Sequence, residues 1–172
     1  KECDWSSDVC SSDLLTLGDR GINLPLTMGH EVVGEVVAVG PEAKGAKVGD
    51  MRMAFPWIGC GKCAPCLADE ENLCLQMRSL GVFSHGGYAD HVVVPDEKYL
   101  VDISGVDPGL AATYACSGVT AYGALKKIPK LIPGDHVALI GLGGVGLAGV
   151  AIAPGMIDAP IIAVDKIGRA HV

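Results

Sequence analysis

The sequence predicts a barrel-like antiparallel β domain that runs into the first unit of a doubly wound, mostly parallel α/β domain. Two observations carry this. Between Glu31 and Val101, short valine-rich runs alternate with glycine and proline turns, the pattern of short antiparallel strands. From Val137 onward come an apolar strand, a glycine turn, a helix and a second apolar strand, which is how a doubly wound sheet opens.

Taken in order, Glu31 to Val39 reads EVVGEVVAV and stops at Gly40-Pro41, a strand and its turn. Lys47-Val48-Gly49-Asp50 is a second turn, before a short strand at Met51 to Phe55. A cysteine loop occupies 60 to 74. Gly86-Gly87 opens YADHVVVP, another strand, and Lys98 to Val101 adds a short one, so an antiparallel barrel or sandwich results. At Asp107 the style changes: this residue can cap a helix whose first turn holds Pro108, and Leu110 to Lys127 is Ala-rich and helix-compatible. Ile132-Pro133-Gly134-Asp135 then leads into HVALIGLGGVGLAGVAIA, a buried strand, a glycine turn and a helix that Pro154-Gly155 ends or kinks. Pro160 to Asp165 (PIIAVD) is a second buried strand.

At 172 residues, 49% of them apolar, the chain can bury a core, and disorder is excluded. Its net charge of -7 gives no electrostatic reason to bind nucleic acid or an anionic membrane. Every long apolar run is broken before membrane-spanning length, and no basic start with a hydrophobic stretch and cleavage site marks a signal peptide. Seven cysteines would suit a secreted disulfide scaffold, but four of them sit in residues 60 to 74 at metal-ligand spacing. That favours bound metal and a reducing cytoplasm.

The two ends read differently from the rest. Asp8 to Leu14 (DVCSSDL) and Lys166 to Val172 (KIGRAHV) reverse-translate to strings that are reverse complements of each other. Extending the first string upstream also yields Asp4-Trp5-Ser6-Ser7, and the whole resembles a sequencing-library adapter. Residues 1 to 14 and 166 to 172 are therefore set aside from fold reasoning as read-through. The remaining divisions are a barrel-like domain at 15 to 130, incomplete at its start, and the truncated first βαβ unit of a doubly wound domain at 131 to 165.

Cys60, Cys63, Cys66 and Cys74 form C-x2-C-x2-C-x7-C. Four thiolates make a closed tetrahedral zinc cage with no open position, so this ion staples a loop and does no chemistry. The bland alternative is a set of free or disulfide-bonded cysteines. A zinc-ribbon nucleic-acid module would bring basic neighbours, whereas this loop contains LADEEN.

Gly141-Leu142-Gly143-Gly144-Val145-Gly146 is G-x-G-x-x-G between a strand and a helix. The glycines allow a tight turn, close approach of backbone to pyrophosphate, and close packing of helix on strand. Gly141, Gly143, Gly144 and Gly146 are the candidate phosphate cradle, where helix N-terminal amides face the negative charge. Asp165, after the second strand, is placed to accept hydrogen bonds from an adenosine ribose and to repel a 2′-phosphate, which favours NAD over NADP. An ordinary strand-end turn residue is its alternative.

Gly29-His30-Glu31-Val32-Val33-Gly34, with Gly40 and Ala43, fits G-H-E-x2-G-x5-G-x2-A and resembles the zinc-containing medium-chain alcohol dehydrogenases, with the cysteine loop following as in that family. Alone, His30 on an apolar strand reads as a core histidine, and Cys116 in ATYACSGVTAYGAL as a small buried hydrophobe. The resemblance implies instead that His30 and Cys116 are catalytic-zinc ligands, that Glu31 lies behind the metal or ligates it occasionally, and that Thr120 lies near the nicotinamide. It further implies a GroES-like catalytic barrel followed by a Rossmann domain, with zinc at a catalytic and a structural site, and NAD. The activity implied is oxidation of an alcohol to an aldehyde or ketone by hydride transfer from a zinc-bound alkoxide, in a parent that is a homodimer or homotetramer. Trp57, before the cysteine loop, lines an alcohol pocket or packs in the core.

The family's remaining zinc ligand is a cysteine upstream of His30, where only Cys3 and Cys10 stand. Cys10 resembles that ligand's segment but falls in the adapter-like string and is read as a decoy. The chain is then expected not to turn over alcohol, and its half-built doubly wound sheet to leave it unstable or aggregating. Three rivals stay open: a zinc-free quinone reductase, a polyol or formaldehyde dehydrogenase of the same superfamily, and a non-catalytic zinc-stapled binding module.

Overall fold

The computed structural model describes residues 24–166, which fall into two units, 24–116 and 117–166. Cys3, Cys10 and all the adapter-like residues except Lys166 lie outside the described range. Among the described residues no helix is long and apolar enough to cross a membrane.

The first unit is built on an antiparallel sheet of three short strands, β1 (Val32–Glu35), β2 (Met51–Ala54) and β3 (Leu100–Asp102), with β2 in the middle. Val32 lies opposite Ala54 and Glu35 opposite Met51, while Ala54 also faces Leu100 across the other edge. The valine run expected to reach Val39 stops as a strand at Glu35. Beyond it Val36 still exchanges hydrogen bonds with Asp50 and Gly49, which closes the ribbon. Glu97 fixes the turn ahead of β2: its carboxylate accepts the backbone amides of Lys44 and Gly45 at 2.6 Å and of Ala46 at 3.2 Å. The Gly45 amide foremost, these donors hold that carboxyl below the usual range.

Two small cores flank the sheet. On one side Met53, Ile103, Ala111 and Ala115 pack together with Val33; on the other, Ala54, Ile58, Leu80 and Tyr99 are covered by Val32, Phe55, Val92 and Val94. The expected strand in YADHVVVP is not formed. Val92 and Val94 are half-buried while His91 and Val93 are exposed, so the period-two alternation survives, but no described strand pairs with it. Strand assignment needs a hydrogen-bonded neighbour, which alternation alone does not supply.

The expected helix from Leu110 is present in pieces: an α-helix at Pro108–Thr113, a π-helical turn at Tyr114–Gly118, and an α-helix at Val119–Leu125. As expected, Asp107 caps it, its carboxylate accepting the Leu110 amide at 2.9 Å. In the second unit, β4 (Val137–Ile140) and β5 (Ile161–Val164) pair in parallel, joined through a helix at Gly144–Ile152 and a 3-10 turn at Ala153–Gly155. Pro154 thus marks the helix end. At Gly149 that helix faces Leu139 and Ala121.

A knot of backbone behind β1 sets the approach to His30. Gly86, Gly87 and Tyr88 donate their amides to the carbonyls of Thr27, Gly29 and Met28 at 2.7, 2.9 and 2.9 Å. A Cβ added to Gly86 would fall inside the van der Waals envelope of the Gly29 carbonyl oxygen and lie 2.6 Å from Gly81 Cα. Both neighbours are backbone, so neither can swing away. Gly86→Ala is therefore expected to destabilise the first unit by about 1–3 kcal/mol or more. Gly34→Ala, with nothing within 4 Å of the new methyl, should be near neutral. Denaturant midpoints of the two variants compare them directly.

Candidate functional site

His30 and Glu31 lie in the segment that leads into β1, immediately after the glycine knot. Thr27 braces this segment by donating its amide to Nδ1 of His85 at 3.1 Å. Cys116 occupies the middle of the π turn Tyr114–Gly118. Such turns admit one extra residue into a helix and are frequent at functional sites. Donor atoms of His30, Glu31 and Cys116 all lie within 4.8 Å of one another, with His30 and Cys116 half-buried and Glu31 exposed. An imidazole nitrogen, a thiol sulfur and a carboxylate oxygen so gathered suit zinc, and three protein donors leave a fourth position for another ligand.

Trp57, for which two readings were open, stands at this site. Its ring centroid is 6.0 Å from that of His30, tilted by 58°, and its Nε1 donates to the carbonyl oxygen of Ala115 at 3.0 Å. The indole thus ties the segment after β2 to the residue preceding Cys116.

Cys60, Cys63, Cys66 and Cys74 form the other group, with their sulfurs also within 4.8 Å of one another. The short helix Ala64–Leu67 carries Cys66, with Cys63 at its N-terminal boundary; the 3-10 turn Glu71–Leu73 then delivers Cys74. Cys63 Sγ is 3.4 Å from Cys66 Sγ and 3.7 Å from Cys74 Sγ, well beyond the ~2.05 Å of a disulfide bond. Backbone amides point at the sulfurs: those of Cys60 and Gln76 each donate to Cys74 Sγ at 3.3 Å. The Cys60 thiol is pulled down to about 6, first by the amide of Lys62 and then by that of Cys63. Cys63 is pushed up to about 12. The Cys66 amide works against this, but hydrogen bonding to the Cys66 thiol, burial and the neighbouring Cys60 outweigh it. One charge is readily placed in this cluster and a second is resisted, so a dication is the natural means of ionising all four. The donor set fits a closed, structural zinc site.

In the second unit, Gly141 has φ +92°, and a Cβ on Gly146 would nearly coincide with the Gly141 carbonyl oxygen, so the first and last glycines of G-x-G-x-x-G are sterically required. Gly143 caps and Gly144 begins the helix Gly144–Ile152. Asp165 follows β5 and accepts the Leu142 amide at 2.6 Å and the Lys166 amide at 2.6 Å, so its carboxylate grips the glycine turn itself. Thr120 is exposed on the helix Val119–Leu125. A cavity of about 390 Å³, bordered by Thr27, Arg78, His85 and His91, contains none of the metal donors or cofactor-turn residues.

Sequence reading missed the π turn, the glycine knot and the Trp57–Ala115 link. The signal for the knot in the sequence is Gly86-Gly87, which read locally opens a strand.

Residues 6–105 match the family model described as the alcohol dehydrogenase GroES-like domain. The chain is 39% identical over 171 residues to an NAD-dependent alcohol dehydrogenase of Sulfurisphaera tokodaii, covering 93% of this chain and 49% of that protein. The crystal structure of the alcohol dehydrogenase from Aeropyrum pernix superposes with a TM-score of 0.77 at 30% identity, over 90% of this chain and 47% of that one. The acetophenone reductase from Geotrichum candidum, solved in complex with NAD, gives a TM-score of 0.71 at 30% identity, over 90% and 46%. This chain thus spans about half the length of the curated relatives it matches.

In metal-stripped protein, the first rise in the ultraviolet absorbance of thiolate is expected around pH 6, where the amides of Lys62 and Cys63 pull the Cys60 thiol down. Cys60→Ser should move that first rise to higher pH.

Proposed function

This chain belongs to the medium-chain alcohol dehydrogenase family, whose GroES-like domain matches more than half of it, and from that premise we propose that its parent is a zinc-dependent, NAD-linked alcohol dehydrogenase. The observation that carries the proposal is the gathering of His30, Glu31 and Cys116, delivered by separate segments of the first unit, within 4.8 Å. A module stapled by metal alone would need only Cys60, Cys63, Cys66 and Cys74. A zinc-free reductase would need neither group.

When bound, zinc supplies Lewis acidity toward an alcohol oxygen, and the nicotinamide ring supplies the hydride acceptor. The chain's own residues do the rest. His30 and Cys116 are the proposed metal donors, and Glu31 is a carboxylate beside them that supports or occasionally replaces a ligand. Trp57, tilted against His30 and bonded to Ala115, keeps both donors in register and presents an apolar wall beside them. The glycine turn and the first amides of the helix Gly144–Ile152 hold pyrophosphate, and Asp165 holds the turn in shape and meets the ribose. Thr120 is proposed near the nicotinamide. A small alcohol or aldehyde is the substrate, in a homodimeric or homotetrameric parent in the cytoplasm. Polyol or formaldehyde dehydrogenases would use the same residues, and substrate profiling of the parent separates them.

A catalytic zinc takes three protein ligands; with Glu31 only an occasional one, the resemblance implies that a cysteine upstream of His30 completes the set with His30 and Cys116. Cys10 lies within the matched range but outside the described residues. Reading it as adapter-encoded predicts that the 172-residue chain by itself does not oxidise alcohol, and the parent's DNA sequence at these codons tests that reading.

The parent is expected to hold two zinc ions per subunit and to reduce NAD with an alcohol. Cys116→Ser should lose one ion by elemental analysis and about 2 orders of magnitude or more of turnover, in line with losses on disturbing metal-site residues. A zinc-free parent with full activity would overturn the proposal.

A further inference from the structure

Glu71 stands inside the cysteine loop, between Cys66 and Cys74, yet its side chain points out of it. Its Oε2 accepts the Tyr99 hydroxyl at 2.7 Å and its Oε1 accepts Lys98 Nζ at 2.5 Å. The carboxylate is only 14% exposed, and these two donors, Lys98 foremost, hold its pKa below the usual range. Tyr99 is no surface residue: 6% exposed, it is a member of the core cluster with Ala54, Ile58 and Leu80, and its carbonyl accepts the Phe55 amide at 2.7 Å to continue the sheet. Lys98 closes the triangle, its ammonium 4.9 Å above the Tyr99 ring. Gly59, where the chain enters the loop, passes so close that an added Cβ would meet Cys66 Sγ at 2.5 Å and Glu71 Cβ at 3.1 Å. Arg78 also bonds the Gly59 carbonyl, at 3.2 Å, but that joins two points flanking the loop. Among the described residues, Glu71 is the side chain between the first and fourth cysteines that hydrogen-bonds the sheet's own core.

We propose that Glu71 is the positioning residue that fastens the metal-stapled loop to the sheet, so that metal bound by the four cysteines stabilises the first unit through the Glu71–Tyr99 contact. This rests on the reading of the four cysteines as a metal site. The physical argument is one of linkage. A metal stabilises a fold only in so far as unfolding releases it. A loop closing on its own four sulfurs could keep its ion while the sheet unfolds, and the loop's ion would then contribute nothing to the sheet. The buried contact from Glu71 to Tyr99 makes the two events one.

The test uses cobalt in place of zinc, in the 172-residue chain carrying Cys3→Ser, Cys10→Ser and Cys116→Ser so that the cobalt–thiolate absorption reports the four-cysteine loop alone. Denaturant titrations follow that absorption and the far-ultraviolet circular dichroism together. With Glu71 intact the two transitions coincide. With Glu71→Ala the dichroism transition comes first and the cobalt band persists beyond it, and Glu71→Gln, which keeps an acceptor for the Tyr99 hydroxyl, restores part of the coincidence. A side chain that merely added stability would move both midpoints together and leave them coincident, and that result overturns the proposal. Should Glu71→Ala fail to fold, Tyr99→Phe, which keeps the ring and removes the hydroxyl, must give the same separation. Absence of any cobalt–thiolate band in the chain with Glu71 intact would instead defeat the reading of the cysteines as a metal site.

Discussion

Backbone packed directly on backbone at Gly29, Gly81 and Gly86 governs where the first donor of the candidate catalytic site can be. Main chain is the stiffest material a protein has, and the three amide bonds from Gly86, Gly87 and Tyr88 to the segment 27–29 leave that segment almost no latitude. His30 is the next residue, so its imidazole inherits the precision of the crossing. A site built from side chains on loosely held loops would not deliver a nitrogen, a sulfur and a carboxylate oxygen to within 4.8 Å of one another. Trp57 adds the complementary restraint from the opposite direction, through Ala115 to the turn that carries Cys116.

The two donor clusters differ in the way their chemistry requires. Four sulfurs, two of them in buried cysteines and one of these served by backbone amides, gather around one position. The other cluster is more open, with Glu31 exposed. A closed cage of soft donors holds an ion and nothing else, whereas a partly open set of mixed donors leaves room for a reacting oxygen.

Much of this was legible in the amino-acid order because local chemistry wrote it there. The spacing of Cys60, Cys63, Cys66 and Cys74 announces a cage, and Asp107-Pro108 announces a helix start that the Leu110 amide then honours. The G-x-G-x-x-G turn between β4 and its helix was likewise readable, since Gly141 and Gly146 meet a steric demand that only glycine satisfies. What escaped was non-local. Nothing near Gly86 in sequence says that residue 29 crosses it, and nothing in ATYACSGVTAYGAL distinguishes a π turn from a regular helix. YADHVVVP reads as a strand because its side chains alternate, and the alternation is real. Among the described residues no strand pairs with it, so the alternation there does not make a ladder.

The difference in span between the two donor sets has a chronological consequence. The four-sulfur cage draws on residues 60 to 74 alone, whereas His30 and Cys116 are brought together across a far longer stretch of chain. Closing the longer loop costs about 1–2 kcal/mol more in chain entropy, and it cannot happen before residue 116 has left the ribosome. On the proposed reading of the two donor sets, a growing chain could take up an ion on the four cysteines at a shorter length than on His30 and Cys116.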